Sequence, residues 1–427
     1  MYERSDRMKK KFILLSFILC LTLIITGCWN SRELNTLGIA TVIGIDWEDE
    51  KILVTIEVIN PRPVKAMLEA KPADLVLYVQ GRGDTIFDAL RNISLKFDRR
   101  IFVSQNKIFI FGEEFAKKGF INHIDVLQRD HEFRETAYML VAKEKKATDI
   151  MGVHEAVEEI LGMYMEDIVE NKKFNPKGVD VNLSEYLKYY YDSGRQPILG
   201  VVDRKEKNVI KKVDTHEGKK EYELVIEGCS IFNKEKLSGY LNGEETRALN
   251  FVRNEVKGGV IEFPTPVKNI DHYSTPTPSV KDSSSTISTL NRDKSVFEII
   301  KSKTKSDVEI ENGKFILKTK VKMRGMLGDV TGDIDVSNEE AIKLIEESCS
   351  KQVKEEIEST IKKVQKKYKT DVFAFGTLVH RKYPKEWHRI SSDWNNIFSQ
   401  ADVQVEVETN IIRTGLVNTS TNKIKGE

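Results

Sequence analysis

Cysteine and histidine are scarce in this chain, four and seven residues in 427, and their spacing removes whole classes of chemistry. No cysteines form a CxxC pair and no two histidines fall at i, i+4, so a zinc site finds no ligand set and no metal is expected. His154-Glu155 lacks the second histidine of HExxH, and neither a GxSxG elbow nor a glycine loop ending in GK[ST] occurs. Gly81-Arg82-Gly83 lacks a third glycine at dinucleotide spacing and reads as a strand-to-helix turn. No cofactor and no enzymatic activity are expected. Net charge is nearly absent too, at +1, and the leading residues hold the excess, with Arg4, Arg7, Lys9, Lys10 and Lys11 against Glu3 and Asp6. That balance lacks the concentrated basic surface of a phosphate-backbone binder, so no nucleic-acid partner is expected. Nor does any apolar run reach the roughly 20 residues that a spanning helix needs.

The apolar run that does exist, Phe12 to Ile25, is broken by Ser16 and Thr22 and follows Lys9-Lys10-Lys11. Its length suits the apolar region of a cleaved export signal. Ile25-Thr26-Gly27-Cys28 closes it and resembles the lipobox of bacterial lipoproteins, with isoleucine where leucine is commoner. The resemblance implies that Cys28 takes a diacylglyceryl thioether before cleavage and that acyl chains then hold the protein to a membrane. Of the other cysteines, Cys20 lies in the signal. Cys229 follows a strand-like alternation and Cys349 sits on a helical stripe, so both read as small buried hydrophobes. An oxidising exterior permits a disulfide between them, but nothing in the spacing demands one.

Size then sets the frame, because 427 residues exceed what one core usually serves and predict two or three domains. With 40% apolar and 31% charged residues the chain is globular. Ile39–Asp46 and Ile52–Ile59 read as a hairpin around Glu48-Asp49-Glu50, and Val76–Gln80 as a further strand. Thr85 is a candidate N-cap for a helix with Ile86, Leu90, Ile93 and Phe97 on one face. Lys107–Phe111 and Thr136–Ala142 read as strands, and strand pattern resumes at Glu221–Phe232, Val296–Ser302 and Lys314–Met323. Ser337-Asn338-Glu339-Glu340 predicts a capping box ahead of a long helix whose stripe runs from Ile342 through Ile345, Cys349, Val353, Ile357 and Ile361 to Tyr368. Glu347 and Lys351, and Glu358 and Lys362, stand at ion-pair spacing along it. Pro384 opens another helix carrying Trp387, Ile390, Trp394, Ile397 and Phe398 on one face, and the alternation from Val403 to Ile411 is a closing strand. The expectation is an α+β fold of three mixed α/β domains, each a β-sheet with flanking helices, after a cleaved lipoprotein signal peptide. The boundaries read as signal 1–27, N-terminal domain 28–200, middle domain 201–274, a Ser/Thr/Pro-rich linker or loop 275–291, C-terminal domain 292–418 and tail 419–427.

Several blocks, in order along the mature chain, resemble the Ger(x)C family of spore germination receptor lipoproteins. They are Gly27-Cys28-Trp29 with Arg32-Glu33-Leu34 and Ile43-Gly44-Ile45-Asp46; Gly81-Arg82-Gly83 with Thr85-Ile86-Phe87; Gly239 to Arg247; and Phe375-Gly376, Tyr383-Pro384-Lys385, Trp387 and Arg413-Thr414-Gly415-Leu416. The resemblance implies a non-enzymatic body of mixed sheets and helices. It also implies A- and B-type membrane subunits as partners, and a place at the outer face of the inner spore membrane. Asn242, Gly243, Glu244, Glu245 and Arg247 carry two readings: a capped helix start with a local Arg247–Glu244 pair, or an exposed polar turn that docks a partner subunit. A solute-binding lipoprotein of a transporter shares the anchor and size, and a ligand-sized cleft between two similar lobes would distinguish it. A lipid-anchored wall hydrolase would need catalytic carboxylates, a nucleophile or metal ligands that the motifs do not supply.

Overall fold

The computed structural model describes residues 11–17, 36–60, 75–152, 160–207, 222–266, 293–332 and 334–413. Cys28 and the 275–291 stretch lie outside these residues. Branched apolar residues make β1 (Leu37–Glu48) and β2 (Lys51–Ile59) an antiparallel hairpin. Asp49 and Glu50 turn it at φ 51° and 60°, the left-handed pair that tight hairpins of the primed type need. Next come β3 (Val76–Gly83) on the outer side of β2, and α1 (Ile86–Ile93). Thr85 caps α1, its hydroxyl accepting from the Asp88 amide at 3.1 Å. Gly81 and Gly83 let α1 lie directly on β3: a Cβ on Gly81 would stand 2.0 Å from the Ala89 carbonyl oxygen, and one on Gly83 2.5 Å from the Ala89 amide. That glycine pair is a packing surface.

The chain then crosses to the other side of β1. Strands β4 (Arg100–Phe102) and β5 (Ile108–Gly112) run parallel to β1, followed by β6 (Tyr138–Ala142) and β7 (Ile198–Glu206), while β8 (Tyr222–Asn233) and β9 (Lys236–Leu241) close antiparallel. The resulting nine-stranded sheet has the order β3-β2-β1-β5-β6-β7-β8-β9, with β4 beside β1. Parallel strands need helical crossovers that cover both faces. They are supplied by α2 (Glu113–Lys118), α3 (Asp125–Arg129), α4 (Ala147–Ile150), α5 (Leu161–Glu170) and α6 (Leu183–Tyr191). On one face Val42, Ile108, Ile110 and Leu140 meet Leu161 and Met165 of α5. On the other, Ile43, Phe109, Phe111 and Val141 meet Phe115 and Tyr186. Each such side chain contributes about 1.5–3 kcal/mol on full burial.

After β9, α7 (Gly243–Val252) leads to a four-stranded sheet: β10 (Gly259–Pro264), β11 (Lys294–Glu311), β12 (Lys314–Val330) and β13 (Asp402–Arg413). Its last pair is parallel, joined through α8 (Glu339–Lys363), α9 (Phe375–Lys382), α10 (Pro384–Ile390) and α11 (Trp394–Gln400). Helix α8 lays Ile345, Cys349, Val353, Ile357 and Ile361 into the core as its stripe requires. Among the described residues no helix is long and apolar enough to cross a membrane.

Several expectations change. The described strands form two sheets, not one for each of three domains: the 201–274 stretch gives most of β7 and all of β8 and β9 to the first sheet and β10 to the second. One hydrophobic core, with Ile43 at one end and Val353 at the other, joins both. The cap of α8 is Asn338, accepting from the Glu340 amide at 2.8 Å, while Ser337 bonds to Asp335 instead. The ion pairs along α8 are Lys351–Glu355 and Lys354–Glu358, each 3.9 Å, not Glu347–Lys351 and Glu358–Lys362. Pro384 does stand in a first helical turn, but that helix breaks at Ser391–Asp393 into α10 and α11. Trp387, Trp394 and Phe398 still share the core. Cys229 and Cys349 are free, buried thiols, pushed up to about 12 by that burial.

Candidate functional site

The residues from Gly239 to Arg247 link the last strand of the first sheet to α7. Asn242 caps that helix reciprocally: its Oδ1 accepts from the Glu245 amide at 2.9 Å, and its own amide donates to Glu245 Oε2 at 3.0 Å. Glu245 also receives Lys363 Nζ of α8 at 2.5 and 2.6 Å. Arg247 points inward. It is 5% exposed and its Nη2 donates at 2.8 Å to each Glu356 oxygen, with Nη1 on the Val260 carbonyl at 3.1 Å. Gly243 is buried where a Cβ would stand 2.1 Å from Glu227 Oε1, and half-buried Gly239 lies where one would stand 2.4 Å from the Tyr368 ring. Tyr368 in turn donates to the Tyr240 carbonyl at 2.9 Å, and Tyr240 donates to Glu113 Oε2 at 2.7 Å. Burial and then Glu113 push the Tyr240 hydroxyl well above its ordinary range.

The turn is thus a polar joint between the two sheets. Of the turn expected to lie outward, Asn242 and Glu244 are exposed, Glu245 is half-buried, and Gly243 and Arg247 are buried. The local Arg247–Glu244 pair is replaced: Glu244 meets Lys177 at 3.2 Å, and a bond to its own amide together with Lys177 holds its carboxyl below the ordinary range. Glu356, 109 residues away, takes Arg247 because α8 packs across α7.

A second set of polar groups lines a crevice at the carboxyl ends of the parallel strands β1, β5 and β6. This crevice, about 400 Å³, is lined by Asp46, Trp47, Gly112, Glu113, Lys117 and Lys145 among others. Its buried carboxylates are already engaged. Asp46 accepts from the amides of Ala147 at 2.7 Å and Thr148 at 3.1 Å, so it holds the start of α4, and burial still raises its carboxyl. Burial would raise Glu113 too, but Lys117, Tyr240 and the Glu144 amide hold it below the carboxylate range. Nearby Glu57, fully buried, accepts from Thr41, Tyr78 and the Gly162 amide at 2.6, 2.9 and 3.1 Å.

Comparison with known proteins bears on this arrangement from end to end. The sequence model of the family described as Spore germination protein N-terminal domain matches residues 30–204, and that described as Spore germination B3/ GerAC like, C-terminal, matches residues 227–415. The chain is 26% identical over 423 residues to Spore germination protein KC of Bacillus subtilis (strain 168), covering 96% of this chain and 98% of that one. It is 24% identical over 414 residues to Spore germination protein B3 of the same organism, covering 95% and 98%. The chain belongs to the Ger(x)C family. The crystal structure of the GerBC protein shares its fold, with a TM-score of 0.52 at 20% identity over 89% of this chain and 100% of that one.

Within this Ger(x)C chain the family blocks fall at joints. Ile43-Gly44-Ile45-Asp46 ends in the carboxylate that holds α4, and Gly112 lies so close that a Cβ there would stand 2.0 Å from Asp46 Oδ1. Phe375-Gly376 opens α9, where a Cβ on Gly376 would meet the Gly194 carbonyl and Trp394 Nε1, each at 2.5 Å. Asp371 sits under that turn, fully buried, accepting from the amides of Phe373 at 3.0 Å and Gly376 at 2.7 Å and from Trp394 Nε1 at 2.9 Å. Sequence reasoning singled out neither Asp371, Glu57 nor Glu356. An acidic residue set against an apolar segment is the one available signal for the first two; Glu356 lies among the acids of a solvated-looking helix and offers none. Arg413 closes β13, and Thr414-Gly415-Leu416 lies outside the described residues.

Proposed function

We propose that this chain is a non-enzymatic, lipid-anchored subunit of a spore germinant receptor. It docks on membrane-embedded A- and B-type subunits at the outer face of the inner spore membrane and supports nutrient-triggered germination. The observation that carries the reading is the end-to-end match: both family segments occur in order, and the spore germination relatives are covered over nearly their whole length. The two unlike sheets support it against a transporter's solute-binding protein, which calls for similar lobes around a ligand-sized cleft. The engaged carboxylates of the crevice and the inert buried thiols suit a scaffold that holds partners rather than one that turns over a substrate.

Spores lacking the chain test this reading. Their response to at least one nutrient should be lost and should return with the wild-type gene, and the membrane subunits should co-purify with the protein. Unchanged germination with every nutrient, or co-purification with an ATPase and permease instead, would refute it. The anchor is checked by fractionation without the partner subunits. Cys28→Ala should leave the membrane on a high-salt wash, and retention would count against lipidation.

A further inference from the structure

The outward face of the second sheet holds cations in facing pairs. Lys301 of β11 stands opposite Arg324 of β12, Lys303 opposite Lys322, and Lys305 opposite Lys320. Like charges directly across a sheet destabilise it. Strand β13 relieves part of this, since Glu406 and Glu408 meet Lys320 at 2.7 and 2.6 Å and Glu408 meets Lys322 at 2.6 Å. Lys301, Lys303, Lys305 and Arg324 are exposed, and among the described residues none of them has a carboxylate within ion-pair distance. Edge strands are often guarded by lysines against aggregation, and β10 pairs with β11 only as far as Ile299. That accounts for the β11 lysines. It does not account for Lys322 and Arg324, which lie on a strand paired on both sides.

We propose that this face is a docking surface for an anionic phospholipid bilayer. The positive charge is spread at strand spacing over a sheet face, which suits the diffuse field of headgroups, an attraction that falls away within a Debye length. At the bulge, Ile300 adds an apolar side chain 49% exposed beside Lys301. The inference rests on the reading above in one respect: a chain tethered at the membrane keeps the face within reach of headgroups. Docking here would lay the second sheet on the bilayer and fix which surfaces the body offers to its neighbours.

The test uses the full chain held in vesicles by its own N-terminal segment. Cys20 is removed with the signal and Cys28 is blocked by its lipid on the reading above, and Cys229 and Cys349 are buried, so an introduced cysteine is the reactive thiol. Asn410→Cys, opposite Arg324 on β13, places a fluorophore on the proposed face, and Lys351→Cys places one on the exposed side of α8. With a headgroup quencher, the 410 probe should be quenched several-fold more in phosphatidylglycerol than in phosphatidylcholine vesicles, and less as salt is raised. The 351 probe should not respond. Lys303→Glu with Lys305→Glu should abolish the phosphatidylglycerol-dependent quenching while raising the melting temperature, because each new carboxylate faces a lysine. Equal quenching in both lipids, stronger quenching at 351, or quenching that survives the double variant would overturn the proposal. So would a 410 probe that ignores vesicles but is shielded when an acidic membrane subunit is added, which would give the face to a protein partner. No germination readout enters, so this outcome and that of the spore experiment are separable.

Discussion

Arg247 and Glu356 are 6% and 13% exposed in their side chains, and the pair joins α7 to α8 through two short bonds. Removing one partner of a buried pair strands the other, at a cost of about 3–5 kcal/mol. Arg247→Ala and Glu356→Ala should each lower stability by that order in denaturant titration, and the double variant should lose far less than their sum. Additive losses would mean that the two do not act together. Charge reversal at Arg247 therefore tests folding, whereas Glu244, exposed and paired with Lys177, is the residue of this turn where reversal can probe docking. Asp371 sets a pH dependence. Burial lifts its carboxyl from 3.8 to about 6 against the bonds from Gly376, Trp394, Phe375 and Phe373 that pull it down. The folded chain binds this proton more tightly than the unfolded chain does. The group's stabilising contribution is therefore present in full below its ordinary value and is lost as pH rises through about 6. The whole interval is worth on the order of 3 kcal/mol. Asp371→Asn does not titrate, so the advantage of wild type over the variant should shrink between about pH 4 and about pH 6.5; a constant difference would contradict the assignment.

Among the elements, α8 offers the sharpest contrast between neighbouring residues. Its N-cap is Asn338, and Ser337 is tied to Asp335 one step outside the helix. Asn338→Ala should lower the melting temperature by an amount equivalent to about 1 kcal/mol, and Ser337→Ala by less than half of that. The reverse order would restore the Ser337 capping box. The stripe of α8 was legible from local periodicity, since Ile345, Cys349, Val353, Ile357 and Ile361 are buried at the spacing that α geometry imposes. The full lengths of β11 and β12 were not. Their outer residues past Ser302 are lysines and acids that mask the alternation, and only pairing across the hairpin carries β11 to Glu311. The break between α10 and α11 was equally hidden, because Trp387 and Trp394 lie at helical spacing and both reach the core on either side of the turn at Ser391–Asp393.

At the scale of the molecule, one apolar core runs from the first sheet through α7 and α8 to the second. Contacts between the loop before β7 and the α9 turn add to it: the Gln196 amide donates to the Asp371 carbonyl at 2.8 Å, and the Thr377 amide to the Gly194 carbonyl at 3.1 Å. A body without a weak boundary should melt as a unit, so calorimetry is expected to show one cooperative transition for both sheets. Two well-separated transitions would indicate independent domains. The spatial order also explains why three sheets were expected and two found. Sequence shows the strand at Glu221–Phe232 after a long helical stretch and ahead of α7, where a new unit could begin; β7, bonded to β6 on one side and β8 on the other, returns it to the first sheet.

Read alone, the sequence determined the opening hairpin, the long helix α8 with its buried stripe, and the family, because each depends on residues close together along the chain or on blocks recurring in order. Tertiary structure decided which sheet each strand enters, that Arg247 turns inward to Glu356, and that Gly239, Gly243 and Gly376 mark places where backbones meet. Those outcomes depend on groups up to 182 residues apart, as between Gly194 and Gly376. Local pattern carries the sign of a charge and the absence of a side chain, and only packing supplies the partner across the gap.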